Sequence, residues 1–150
     1  MTANLPPLSP AGIVLGATAV DWRAAVQLAG AALVAVGATL PAYTDAMVRM
    51  IEEHGPYVVI APRLALAHAR PGPDVLADGL AIVTLDPAVA FGHPHNDPVS
   101  VVLGLAIADP LRHLQAVAAL ANVFNDSTAI ADLAAATSTD EVLTIMGGRA

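Results

Sequence analysis

The sequence predicts an α/β domain in which a mixed β-sheet is covered by helices. Three observations predict it. Short apolar runs of strand length alternate with longer stretches whose apolar residues recur at helical spacing. Several helical stretches carry their own start and stop residues. The chain has 150 residues, of which 56% are hydrophobic and 13% charged, so it can offset the ordering entropy of one folded domain. Thirty-three residues are alanine, which points to small side chains and close helix packing.

Taken in order, Met1 to Pro10 reads as a flexible lead and residues 11–150 as one domain. The lead has three prolines and no positive charge, so it lacks the basic region of a secretory signal. Ile13 to Ala17 is a short apolar run and predicts a strand. Asp21 caps a helix to about Val36, with Trp22, Ala25, Val26, Ala29, Leu33 and Val36 on one face and Gly37 at its end. Pro41 starts a second helix, whose stripe is Tyr43, Ala46, Met47, Met50 and Ile51. Gly55 and Pro56 stop it. Tyr57 to Ile60 is β-branched and aromatic, hence a strand. Pro62 to Pro73 reads as loop with an extended piece at Leu64 to Leu66. Leu80 to Leu85 and Val99 to Ile107 are further strands, joined by the polar stretch Phe91 to Pro98. Asp109 and Pro110 open a helix to Phe124. Asp126 or Ser127 starts a short helix ending near Ala136. Ser138 and Glu141 form a capping box for a terminal helix through Met146.

Composition excludes several functions. No cysteine is present, so disulfide scaffolds, thiolate zinc sites and thiol catalysis are ruled out. The net charge is −7, with six arginines and no lysine, and no basic cluster suits nucleic acid. The longest apolar run, Leu28 to Ala38, falls short of the roughly 20 residues of a membrane span. A cytoplasmic protein is expected. Phosphate-loop, dinucleotide, nucleophile-elbow and zinc-protease motifs do not occur.

Five histidines carry the chemical potential: His54, His68, His93, His95 and His113. His68 ends an extended piece between Ala67 and Ala69, where a sheet can hold it while a large partner reaches it. Arg70 offers a planar cation suited to a phosphoryl group. A plain loop histidine beside an unrelated arginine fits the same residues. His113 follows the predicted cap at Asp109, where a helix start presents free N–H groups to an anion; taken alone, a half-buried histidine that only packs is the favoured reading. His93, His95 and Asp97 form an H-P-H-N-D string that reads as a turn, with a metal site as the alternative. His54 suits the end of its helix and no chemistry.

These residues together resemble the enzyme IIA domains of the mannitol/fructose class in the bacterial phosphoenolpyruvate:sugar phosphotransferase system, closest to the ascorbate-type branch. The similar stretches are Y-T-D-A-M-V-R-M-I-E-E-H-G-P-Y-V-V-I-A-P, L-A-L-A-H-A-R-P, F-G-H-P-H-N-D-P-V and L-R-H-L-Q-A-V-A-A-L, with a weaker S-T-D-E-V-L. Their order holds from about Val20 to Met146. Glu53, Ile60, Ala61, Leu64, Ala65, Leu66 and His68 fit the family's active-site pattern. Ala67 stands where the family has proline, and Arg63 where the ascorbate branch has a small residue. In register from Tyr43, the mannitol type's active-site arginine falls on Met50, one residue from Arg49.

The resemblance implies a mixed, mostly parallel sheet with an antiparallel edge and helices on both faces. It implies that His68 is phosphorylated by a histidine-containing phosphocarrier protein and that His113 is the second active-site histidine. The phosphoryl group would pass to a cysteine of an enzyme IIB and so indirectly serve a membrane enzyme IIC, for an ascorbate-like or pentitol-like sugar. No metal or cofactor is required. Arg70 is a candidate phosphoryl-stabilising residue on physical grounds. The alternatives are a regulatory IIA-like domain, acting through its phosphorylation state, and a metal- or ligand-binding module built on His93 and His95.

Overall fold

The computed structural model describes residues 5–126 and 128–148. A five-stranded sheet forms its middle. The strands are β1 (Ile13–Ala17), β2 (Val59–Ala61), β3 (Leu64–Ala67), β4 (Gly79–Val89) and β5 (Val99–Ala106), in the order β1-β4-β5-β3-β2. The helices are α1 (Trp22–Ala35), α2 (Pro41–His54), α3 (Pro110–Phe124), α4 (Ala129–Ala135) and α5 (Thr139–Gly148).

Local chemistry explains most boundaries. The Asp21 carboxylate accepts the Ala24 N–H at 2.9 Å and caps α1. Gly37 follows at φ 78°, and Gly55 ends α2 at φ 81°, both in the left-handed region that glycine enters without steric cost. Asp109 caps α3 by accepting the Leu111 N–H at 2.9 Å. Of the predicted starts of α4, Ser127 lies outside the described residues, and Asp126 accepts the Thr128 N–H at 2.9 Å just before the helix. The Ser138 hydroxyl accepts the Glu141 N–H at 3.2 Å, as a capping box requires. Glu141 bonds the Thr137 N–H and hydroxyl, at 3.4 and 2.8 Å.

Three expectations needed revision. The strand expected at Tyr57 starts at Val59, because Tyr57 and Val58 are spent in a turn closed by Tyr57 N–H to Gly55 (2.9 Å) and Val59 N–H to Pro56 (3.1 Å). The extended piece expected at Leu64 to Leu66 is a fully buried internal strand that runs one residue further, to Ala67. The sheet is mixed, but its pairings divide evenly instead of favouring parallel. β1–β4 and β3–β5 are parallel, while β4–β5 and β2–β3 are antiparallel. The reason is loop length. Residues 90–98 join β4 to β5 with no helix between, and a parallel return needs a crossover of a dozen or more residues.

Side-chain alternation divides the core between two faces. On the first, α1 and α2 lay Val26, Ala29, Leu33, Tyr43 and Met47 on Ala65, Ala67, Ala81, Val83 and Val102. On the second, α3, α4 and α5 lay Leu120, Leu133, Val142 and Met146 on Leu64, Leu66, Ile82, Leu103 and Leu105. The first face is built from small residues so that α1 can approach. A Cβ added at Gly104 would stand 3.3 Å from both Ala29 Cβ and Leu33 Cδ1. Of the expected N-terminal lead, residues 1–4 lie outside the described residues. Leu5 and Leu8 rest on the second core, and the Leu80 N–H donates to the Pro7 carbonyl at 3.2 Å. No helix among the described residues is long and apolar enough to cross a membrane.

Candidate active site

The parallel strands β3 and β5 end side by side, with Ala67 paired to Gly104. Each strand delivers one histidine at that edge. His68 is the first residue beyond β3. Past β5 the chain turns at Asp109 into α3, and His113 sits in the opening turns of that helix, its N–H bonded to the Asp109 carbonyl at 2.9 Å. The carboxyl ends of adjacent strands are where an open α/β sheet leaves a crevice. The two imidazole rings lie 5.4 Å apart between centroids, at 51°. Residues separated by 45 positions in the chain thus share one site.

The local bonds of His68 assign its proton. Nδ1 lies 3.1 Å from the Leu66 carbonyl oxygen. A carbonyl only accepts, so in the neutral ring Nδ1 carries the hydrogen and Nε2 the lone pair. His68 is half-buried, as is His113. Burial first, and the neighbouring His68 second, hold the His113 imidazolium below its ordinary pKa, so at neutral pH His113 is the uncharged ring.

Neighbouring residues fix the strand ends. The Tyr43 hydroxyl, buried on α2, accepts the Ala69 N–H at 3.0 Å and donates to the Leu105 carbonyl at 2.6 Å. Burial raises its pKa, which keeps it a donor. Arg112 grips Asp78 with Nε and Nη2, at 2.9 and 3.2 Å, and reaches Asp109 at 3.3 Å. Asp78 also accepts the Ala108 N–H at 3.2 Å, so the turn into α3 is braced from the start of β4. The Arg112 guanidinium holds the Asp78 carboxyl below the usual carboxylate range. Tyr57, in the turn after α2, stands 5.8 Å from the His68 ring at 87°, and its ring also meets His54 at 6.2 Å. The sequence reading gave Tyr43, Tyr57 and Arg112 no place in the site. The signal for Tyr57 was the Gly55-Pro56 pair, which forces a turn where a strand was expected.

The remaining candidates lie elsewhere. Arg70 is exposed and lines a cleft of about 250 Å³ together with Ala46, Arg49, Met50, Glu53, His54 and Ala69. Arg70 and Arg49 therefore share a wall of that cleft, and neither is ion-paired among the described residues. Arg63, at φ 69°, His93 and His95 belong to the opposite end of β5. There His93 Nδ1 accepts the N–H groups of His95 and Asn96, both at 3.1 Å. The Asp97 carboxylate gathers the N–H groups of Phe91, Gly92 and His93 at 3.0, 2.7 and 3.1 Å. His93 Nδ1 and the Asp97 carboxylate are thereby engaged in closing the loop. No group of three histidine or carboxylate side chains suited to a metal forms among the described residues.

Comparison with known proteins bears on this geometry. Residues 7–147 match a family model described as phosphoenolpyruvate-dependent sugar phosphotransferase system, EIIA 2. The ascorbate-specific PTS system EIIA component of Shigella boydii is 36% identical over 135 residues, 89% of this chain and 88% of that protein. The crystal structure of IIA mannitol from Escherichia coli superposes with a TM-score of 0.84 at 29% identity, covering 94% of this chain and 99% of that one. A complex of enzyme IIA mannitol with phosphorylated enzyme IIB mannitol from Escherichia coli matches at a TM-score of 0.83 and 28% identity, covering 95% and 98%.

Proposed function

Because the chain belongs to the EIIA 2 family of the phosphoenolpyruvate-dependent sugar phosphotransferase system, we propose that it carries a phosphoryl group on His68 Nε2. The observation that carries the reading is the Leu66–His68 bond, which leaves Nε2 unprotonated beside a second imidazole. The donor is a histidine-containing phosphocarrier protein. As the Nε2–P bond forms, the donor's N–P bond breaks and the donor imidazole keeps the electron pair. The phosphoryl group then leaves His68 for a cysteine thiolate of an enzyme IIB, forming S–P as Nε2–P breaks. This chain has no cysteine, so the acceptor lies in another chain or protein.

Such a transfer places little covalent demand on the protein beyond positioning and charge stabilisation. His113 and the start of α3 face the arriving charge. Arg70 supplies a cation at the edge of the site. Both partners are proteins, and exposed apolar side chains near the pair suit such contacts: Leu111 is 62% exposed and Leu114 66%. The IIB complex of the mannitol relative supports the acceptor assignment. The ascorbate-specific relatives favour an ascorbate-like substrate over a pentitol for the membrane enzyme IIC that the relay serves. A cytoplasmic location follows from such partners.

The test is phosphoryl transfer from phosphoenolpyruvate through enzyme I and the phosphocarrier protein. Wild type should acquire acid-labile, alkali-stable label, and His68→Ala should acquire none while melting as a folded protein. Label that persists in His68→Ala, or a wild type that stays unlabelled with an active donor, overturns the reading.

A further inference from the structure

We propose that Tyr57 is a positioning residue for His68: its ring sets the imidazole torsion that keeps Nδ1 on the Leu66 carbonyl and Nε2 open. The kinetic consequence rests on the phosphoryl-carrier reading. The effect on the ring itself rests on geometry alone.

Histidine χ2 is a broad, shallow torsion, so the imidazole does not choose its own orientation. Among the described residues, one bond of 3.1 Å, to a carbonyl two residues back, is the only hydrogen bond to the His68 ring. If the ring turns, Nδ1 leaves the carbonyl and the proton is free to occupy Nε2, where it blocks attack. Aromatic neighbours resist that turn. Tyr57 meets the ring at 87° and 5.8 Å, the perpendicular arrangement that ring quadrupoles favour. His113 flanks it at 5.4 Å. Tyr57 is itself set against His54 at 85°, so four rings run in file from the end of α2 to the start of α3.

The chain takes trouble to place this ring. The turn through Gly55 and Pro56 delays β2 to Val59, and Val59 pairs with Ala65. The antiparallel register therefore carries Tyr57 level with the end of β3, beside His68. Tyr57 remains 40% exposed, which a residue serving the core alone would not be. Its hydroxyl has no hydrogen-bond partner among the described residues, and it is the ring that meets His68.

The experiment compares wild type with Tyr57→Phe, Tyr57→Leu and Tyr57→Ala, all checked by thermal melting. Nitrogen-15 NMR of labelled histidines at alkaline pH reads the His68 tautomer in the unphosphorylated protein. Stopped-flow labelling from the phosphocarrier protein reads the rate. Wild type and Tyr57→Phe should both show the Nδ1–H tautomer and equal rates. Tyr57→Ala and Tyr57→Leu should shift toward Nε2–H and accept phosphate about three- to tenfold more slowly. An unchanged tautomer in Tyr57→Ala and Tyr57→Leu overturns the proposal, as does a Tyr57→Phe that behaves like Tyr57→Ala. Failure of wild type to label removes the carrier reading, and the tautomer ratio still decides the role of Tyr57.

Discussion

Tyr43 and Leu105 are joined across the first face of the sheet by a hydrogen bond of 2.6 Å, and the same hydroxyl receives the Ala69 N–H. One side chain of α2 thereby clasps the ends of both strands that deliver the histidines. Tyr43→Phe removes the clasp and leaves a buried N–H and a buried carbonyl without their partner. An unmade buried bond costs about 1–3 kcal/mol. Urea unfolding should show that loss with an unchanged slope. A midpoint equal to wild type would mean that water replaces the hydroxyl.

His113 makes a prediction about pH. Its pKa is lowered in the fold, chiefly by burial, from an ordinary 6.5. Below that ordinary value the unfolded chain binds a proton that the folded chain resists, so the unfolded state binds more protons and stability falls as pH falls. The loss runs from about 6.5 downward through the folded value. His113→Gln should flatten this part of the stability profile relative to wild type, and a profile parallel to wild type would contradict it.

The same residue has a kinetic role under the proposed function. With His68 phosphorylated, a dianion stands beside His113 and favours its protonation, reversing the shift seen in the free protein. His113→Ala should still accept label on His68, about a hundredfold more slowly, the scale for removing one stabilising donor. Rapid-quench labelling that matches wild type would remove His113 from the transfer step.

Helix packing yields a further expectation. A Cβ added at Gly30 of α1 would collide with Oγ1, Cγ2 and Cβ of Thr44 on α2. Replacing a helical glycine by alanine gains about 1 kcal/mol in propensity, while overpacking costs about 1–3 kcal/mol. Contact with three atoms of one branched side chain places Gly30→Ala toward the upper cost, so it should lower the melting temperature. A raised melting temperature would show that α1 and α2 can move apart freely.

Signals that act within a few residues were legible in the sequence. Asp21, Gly37, Pro41, Gly55, Asp109 and Ser138 marked helix ends because capping and left-handed turns depend on the residue present. Strand β3 read only as a short extended piece inside a loop, because four residues carry no periodicity. Its identity comes from Val101 to Gly104, to which it pairs. The even mixture of pairings was also available, since the nine residues between β4 and β5 are too few for a crossover. His68 and His113, taken singly, looked like ordinary histidines. Only the order of several stretches drew them together, and their shared edge depends on a register that no local pattern encodes. Arg112 and Asp78, 34 positions apart, were invisible for the same reason.

The Leu66 carbonyl has a further effect, on traffic. It occupies one ring nitrogen of His68 and leaves the other as the one site for a phosphoryl group. Under the proposed function, donor and acceptor must queue for that nitrogen and exclude one another while bound. Loading and unloading then alternate as two half-reactions, with no three-protein assembly between them. Surplus empty acceptor becomes a competitor of the loaded donor, and throughput is governed by how quickly each visitor departs.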